Sequence, residues 1–232
     1  HFCRFERLPV IVRILKVIGG LSIKMRSEIK TQLPYCKVLA LLLVTSLLGS
    51  CGVSNLVIEG SFPTPNINKI PLSMAILYGD ALREFSYMEY SETGREEINI
   101  ESGESHIRLF NAVLPAMFEE VIEIEGMDDP LVQEVDAVFS PTIEEFQLAL
   151  PEKTKLDVYE VWIKYNMRIV DRRGNSLADW VVTSYGKTPT ATFLSVEDGI
   201  NEAAIVALRD LASSFSLNFS QIPEVQDWLN TL

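Results

Sequence analysis

Few side chains in this 232-residue chain offer chemistry. Cys51 follows Leu48-Gly49-Ser50 and an apolar run from Val38 to Leu48. A thiolate is the strongest nucleophile among side chains, and small residues before it leave the backbone open to a processing enzyme. His106 is the only histidine after His1. One histidine cannot build a cluster of three or four metal ligands. A Ser-His-Asp triad would have to use His106 with Ser102 or Ser105, and both serines are placed to cap a helix start. Carboxylate pairs occur at Glu119-Glu120, Asp128-Asp129 and Glu144-Glu145. A glycosidase needs two carboxyls facing each other across a cleft, and nothing in the spacing separates these pairs from a solvated acidic surface. Gly94, Gly103 and Gly174 stand alone, not in a phosphate-binding loop. The residues therefore predict no catalytic group, no metal site and no cofactor.

Cys51 fits a different chemistry. After Met25 come Arg26, Lys30 and Lys37, then the eleven apolar or small residues 38–48. That run is too short for a membrane-spanning helix, which needs about 20 residues, and has the length of a signal-peptide core. With Leu48-Gly49-Ser50-Cys51 it resembles the bacterial lipobox signal peptide of outer-membrane lipoproteins. The resemblance implies cleavage between Ser50 and Cys51, a diacylglyceryl group on the Cys51 thiol and a stable anchor of two or more acyl chains. Gly52, where enteric bacteria use aspartate for inner-membrane retention, points to the outer membrane, with the protein facing the periplasm of a Gram-negative cell. The same residues also fit an ordinary secretory signal with Cys51 an incidental thiol. Residues 1–24 read as an extension ahead of the start at Met25, or alternatively as an amphipathic segment around Leu8–Ile23.

The charge distribution agrees with a targeting segment before a mature body. Residues 1–50 hold eight of the 20 basic residues but only two of the 32 acidic ones, so residues 51–232 carry 12 basic and 30 acidic groups, a formal charge of −18. Such acidity argues against a nucleic-acid partner, which requires a basic patch. Residues 51–232 suit one domain, long enough to bury a core without disulfides. Cys51 is the single cysteine in that part. The expected organisation is an extension at 1–24, a signal peptide at 25–50, a lipidated tether at 51–70 and one periplasmic domain at 71–232. Gly60, Pro63, Pro65 and Pro71 break any periodicity in the tether, although Val57 and Ile58 also suit a short edge strand.

Within that domain Leu72–Tyr78 and Glu97–Glu101 read as strands, and Ile107, Phe110, Leu114, Met117 and Phe118 recur at helical spacing. Pro115 predicts a kink or a break there. Val135–Leu150 looks extended. Leu156–Val170 alternates strictly: Tyr159, Val161, Ile163, Tyr165, Met167 and Ile169 share one face. The turn at 171–175 leads into a hairpin partner at Ala178–Tyr185. The last large element is a helix capped by Ser195, with mid-stripe alanines that predict close approach to a sheet. These elements specify an α+β fold, a mostly antiparallel sheet with two main helices packed on one face. Their order resembles the small periplasmic α+β domains of other envelope lipoproteins.

The second face of the long strand is the candidate partner face: Val158, Trp162, Lys164 and Arg168, with Trp180 joining from the hairpin partner. Exposed aromatics flanked by arginine suit a protein interface, unless another strand or the tether covers them. The functional expectation is a non-enzymatic accessory or assembly factor that is membrane-bound through Cys51 and binds another envelope protein. The alternative is a lipid or small-ligand module auxiliary to a transporter, with an apolar cavity between sheet and helices. A cell-wall hydrolase working through acidic residues stands behind both.

Overall fold

The computed structural model describes residues 53–90 and 96–231. Ser50, Cys51 and the rest of residues 25–50, expected as a signal peptide, lie outside the described residues. In chain order the described elements are β1 (Ser54–Val57), β2 (Ile70–Leu77), a helical turn Asp80–Arg83, β3 (Ser86–Tyr90), β4 (Glu96–Glu101), α1 (Gly103–Met117) and β5 (Phe118–Ile124). After them come a turn of 3-10 helix at Pro130–Glu134, β6 (Ala137–Ala149), a short turn Pro151–Thr154, β7 (Val158–Val170), β8 (Ser176–Pro189), α2 (Val196–Asn218) and α3 (Pro223–Leu229).

The strands form a five-stranded sheet in the order β5-β2-β6-β7-β8 and a three-stranded sheet in the order β1-β4-β3. The fold is α+β, and both long helices contact the large sheet or its flanking strands. The sheet is mixed, so the expectation of a mostly antiparallel one holds in part: it holds for the longest strands and not for β2. β2 pairs parallel with both β5 and β6, and only β6-β7-β8 is antiparallel. The causes are two crossovers: α1 lies between β2 and β5, and the segment 125–136 lies between β5 and β6. A chain that crosses over on a helix returns in its original direction, whereas a tight turn reverses it.

Helix α1 buries His106, Leu109, Phe110, Val113, Leu114 and Met117. Phe110, Leu114, Met117 and Phe118 are buried as expected; His106, Leu109 and Val113 widen the stripe, and Ile107 lies at its margin. Pro115 does not divide the helix. It sits in the final turn, where its missing N–H removes one bond from a helix that ends two residues later. Helix α2 begins as expected, with Ser195 Oγ accepting from Asp198 N at 3.0 Å. Its alanines bring its backbone down onto β8. A Cβ on Gly186 would stand 1.9 Å from Ala203 O and 2.4 Å from Ala207 N.

Residues 53–70 are part of the compact unit, which runs Val53–Leu232. This corrects the expected tether. Ser54–Val57 pairs parallel with β4, and Ile58 is fully buried. Val57 and Ile58 lie in or directly after this strand. The isolated prolines interrupt periodicity without detaching the chain, because its backbone groups find partners on α2: Glu59 N donates to Asn201 Oδ1 at 2.9 Å and Asn201 Nδ2 donates back to Glu59 O at 3.1 Å.

Candidate interaction face

One face of the large sheet is filled by the helices. The other divides in two. Over β5, β2 and the start of β6, the segment 125–136 folds across and seals a small core of Ala75, Ile124, Val132, Val135, Val138 and Val170. Over the rest of β6, β7 and β8 the face is open. The pairing register places cross-strand rows on it. Gln147, Trp162 and Tyr185 form one row, Glu145, Lys164 and Thr183 the next, and Ser140, Arg168 and Asp179 another. The strict alternation of β7 holds throughout: its odd-numbered residues from Tyr159 to Ile169 are all buried.

Trp162 is 54% exposed and meets Tyr185 edge to face, with ring centroids 5.2 Å apart. The Tyr185 hydroxyl donates to the Glu160 carboxylate, which pushes the phenol up to about 12. Lys164 Nζ lies 2.6 Å from Glu144 Oε2, and Arg168 Nε 3.9 Å from Asp179 Oδ2. Beside Trp162 and Lys164 is a shallow groove of about 250 Å3, also lined by Glu145, Gln147 and Thr183. Val158 is half-buried at the start of β7. β8 is the outer edge of the sheet, and the Tyr185 N–H on it is occupied by Asp210 Oδ2 from α2 at 3.1 Å. An edge donor covered in this way resists strand addition at that point.

Trp180 does not join this face. It pairs with Met167, on the core side, and stacks on Phe215 with an interplanar angle of 6°. The reason is a β-bulge. Val170 pairs with Ser176 but Ile169 pairs with Ala178, so Leu177 is an extra residue in β8. Without it Trp180 would oppose Asn166 on the open face. A one-residue shift exchanges the faces of everything beyond it. Tyr185 takes the place expected of Trp180, and the same shift put it there.

The remaining chemistry-bearing residues are placed elsewhere. His106 is fully buried, with Tyr165 Oη 2.7 Å from Nδ1 and Ser102 Oγ 3.0 Å from Nε2. Both hydroxyls can donate or accept, so the neutral ring is satisfied in either tautomer. Burial without a counter-charge pushes the imidazole down to about 3. All three groups are closed off from solvent, so the chain of hydrogen bonds offers no access to a substrate. Ser102 stands at the N-cap of α1 but its side chain does not cap: it faces His106 instead. Ser105 Oγ donates to Ile58 O, which fixes the entering chain. Asp129 accepts from Leu131 N at 2.9 Å and caps a short turn. Glu119 and Glu120 are exposed on edge strand β5. Among the described residues no group of three His, Cys, Asp or Glu side chains is arranged to hold a metal ion, and no helix is long and apolar enough to cross a membrane.

No family model and no curated protein matches the chain. Solved structures do resemble it. A Xanthomonas campestris protein of the DUF330 family superposes with a TM-score of 0.50 at 9% identity, covering 75% of this chain and 98% of that one. A minor lipoprotein from Acinetobacter baumannii gives a TM-score of 0.37 at 15% identity, covering 66% and 94% of the two chains. Lipoprotein B from Nitrosomonas europaea gives 0.33 at 12% identity, covering 71% and 94%. At such identities the first likeness is one of fold alone.

Proposed function

We propose that this chain is a lipid-anchored protein of the Gram-negative cell envelope, held in the outer membrane through Cys51 and facing the periplasm. It acts without catalysis, as an accessory or assembly factor that binds another envelope protein on the open face of β6, β7 and β8. The lipobox-like residues 48–51 support the anchor. The observation that carries the binding role is Trp162, a large aromatic more than half exposed on a rigid sheet, with Tyr185 beside it and ion pairs around it. Aromatic side chains on such a face supply large contact area at low entropic cost. The alternative of a ligand module rests on an apolar cavity between sheet and helices. The groove beside Trp162 is instead on the open face and partly charged.

Placing a photocrosslinking amino acid at Trp162 or Tyr185 in intact cells is expected to yield an adduct with one and the same envelope protein. The same amino acid at Ser213, exposed on α2, should yield none. Once that protein is in hand, Trp162→Ala should weaken the complex by about 30-fold, the effect of losing a hot spot of about 2 kcal/mol. Adducts that form equally from Ser213, or a Trp162→Ala variant with unchanged affinity, would rule out this face.

A further inference from the structure

The described chain is fastened to the domain almost from its first residue. Ser54 Oγ donates to Glu197 in the first turn of α2 at 3.0 Å. Subsequent contacts advance along that helix, from Glu59 with Asn201 to Ser61 O, which accepts from Arg209 at 3.3 Å. Val53 therefore stands at the N-terminal end of α2. Two peptide units separate it from Cys51, a reach of at most about 8 Å.

The same end of the fold presents apolar side chains on its loops. Val158 at the start of β7 pairs with Pro189 at the end of β8, so Leu156 and Leu194 leave the sheet at one end. Thr190 N donates to Asp157 O at 3.0 Å and ties the two loops together. Leu194 is fully exposed, Leu156 is 53% exposed, and Val196, two residues after Leu194, and Val53 are exposed as well. Leaving such side chains in water forfeits about 25 cal/mol for each Å2 that burial would remove. The charged residues of these segments have both signs, with Lys153, Lys155 and Lys187 against Glu152, Asp157, Glu197 and Asp198. An occupant of this end is thus held by apolar contact, with little preference for anionic lipid.

We infer that this end of the domain, led by Leu156 and Leu194, rests on the lipid bilayer and dips into its acyl boundary. The inference depends on the lipid anchor at Cys51 proposed above and adds which end of the domain meets the membrane. A lipid surface is the occupant because the anchor reaches no farther than about two residues from Val53. Strands β7 and β8 then run away from the bilayer, and Trp162 and Tyr185 are approached from the side.

The test uses the whole chain, processed in cells, purified with its N-terminal mass measured, and reconstituted in phosphatidylcholine vesicles. With Cys51 lipidated, a Leu194→Cys, Leu156→Cys or Asn175→Cys variant has one reactive thiol, which takes an environment-sensitive fluorophore. Asn175 is in the turn at the opposite end of the hairpin. Quenching by nitroxide-labelled lipid should be at least about threefold greater at 194 and 156 than at 175, as for side chains roughly 5–10 Å below the headgroups. Equal quenching at all three positions, or none at 194 and 156 in protein of lipidated mass, overturns the orientation alone. A mass showing unmodified Cys51 overturns the anchor and the orientation together. Shielding of 194 that appears only when another envelope protein is added overturns it in favour of protein docking.

Discussion

Gly186→Ala is expected to cost more than about 3 kcal/mol of stability and to lower Tm by roughly 10 °C in a domain of this size. The added Cβ would lie 1.9 Å from the carbonyl oxygen of Ala203 and 2.4 Å from the amide nitrogen of Ala207. Both are backbone atoms of α2, so no side-chain rotation relieves the clash. The helix would have to lift from β8 along the contact that carries Ile200, Leu208 and Leu211 into the core. Core rearrangements of this kind cost about 1–3 kcal/mol where side chains can adapt, and a rigid helix backbone adapts less. Gly79→Ala is the control. Nothing lies within 4 Å of a Cβ at that position, and its cost should remain within about 1 kcal/mol. Urea denaturation of both variants decides the matter. Equal midpoints would mean that α2 does not sit against Gly186 as described.

The second large effect is acid lability centred on His106. The buried imidazole titrates at about 3 in the folded protein, against about 6.5 for an unfolded chain. The unfolded state therefore binds more protons between these values. Its advantage is absent above the unfolded value, appears as pH falls through about 6.5 and grows until the folded group also titrates. Each factor of ten in proton affinity corresponds to 1.36 kcal/mol, so this residue alone should remove roughly 2–3 kcal/mol between about pH 7 and about pH 4.5. His106→Gln retains a donor and an acceptor for Ser102 and Tyr165 but cannot titrate. It should be less stable near neutrality through imperfect fit, yet lose roughly 2–3 kcal/mol less than the parent over the same interval. Stability curves at the two pH values that run parallel in parent and variant would show that His106 does not control acid lability.

These expectations differ in how much of them the residues alone reveal. The alternation from Tyr159 to Ile169 is a period-two pattern in one strand, and a strand with one buried face shows it wherever it lies in a sheet. Ser195, the acidic first turn and the alanine-rich stripe mark α2 in the same local manner. His106 was legible in principle. The series His106, Leu109, Phe110, Val113, Leu114 and Met117 is a better helical stripe than one drawn through Ile107, but a histidine is not ordinarily counted as a core residue. Trp180 was not legible. Its face depends on Leu177 being an extra residue in β8, and a bulge is a property of two paired strands rather than of either sequence. The path of residues 53–70 was hidden for a related reason, because its hydrogen-bond partners on α2 lie about 140 residues away.

Legible in the residues alone were the lipobox-like signature at Cys51, the acidic balance of residues 51–232, the α+β class, and the shared face of Trp162, Lys164 and Arg168. All of these are written in composition or in patterns within one segment. Only contacts between distant segments set β2 parallel to its neighbours, put Trp180 in the core and Tyr185 on the open face, and fasten residues 54–61 to β4 and α2. Each of these depends on register or contact between segments far apart in the chain, where a one-residue shift reverses the outcome. At Cys51 the two meet. The lipobox-like motif is local to residues 48–51, and the described chain is fastened to α2 from Ser54 onward.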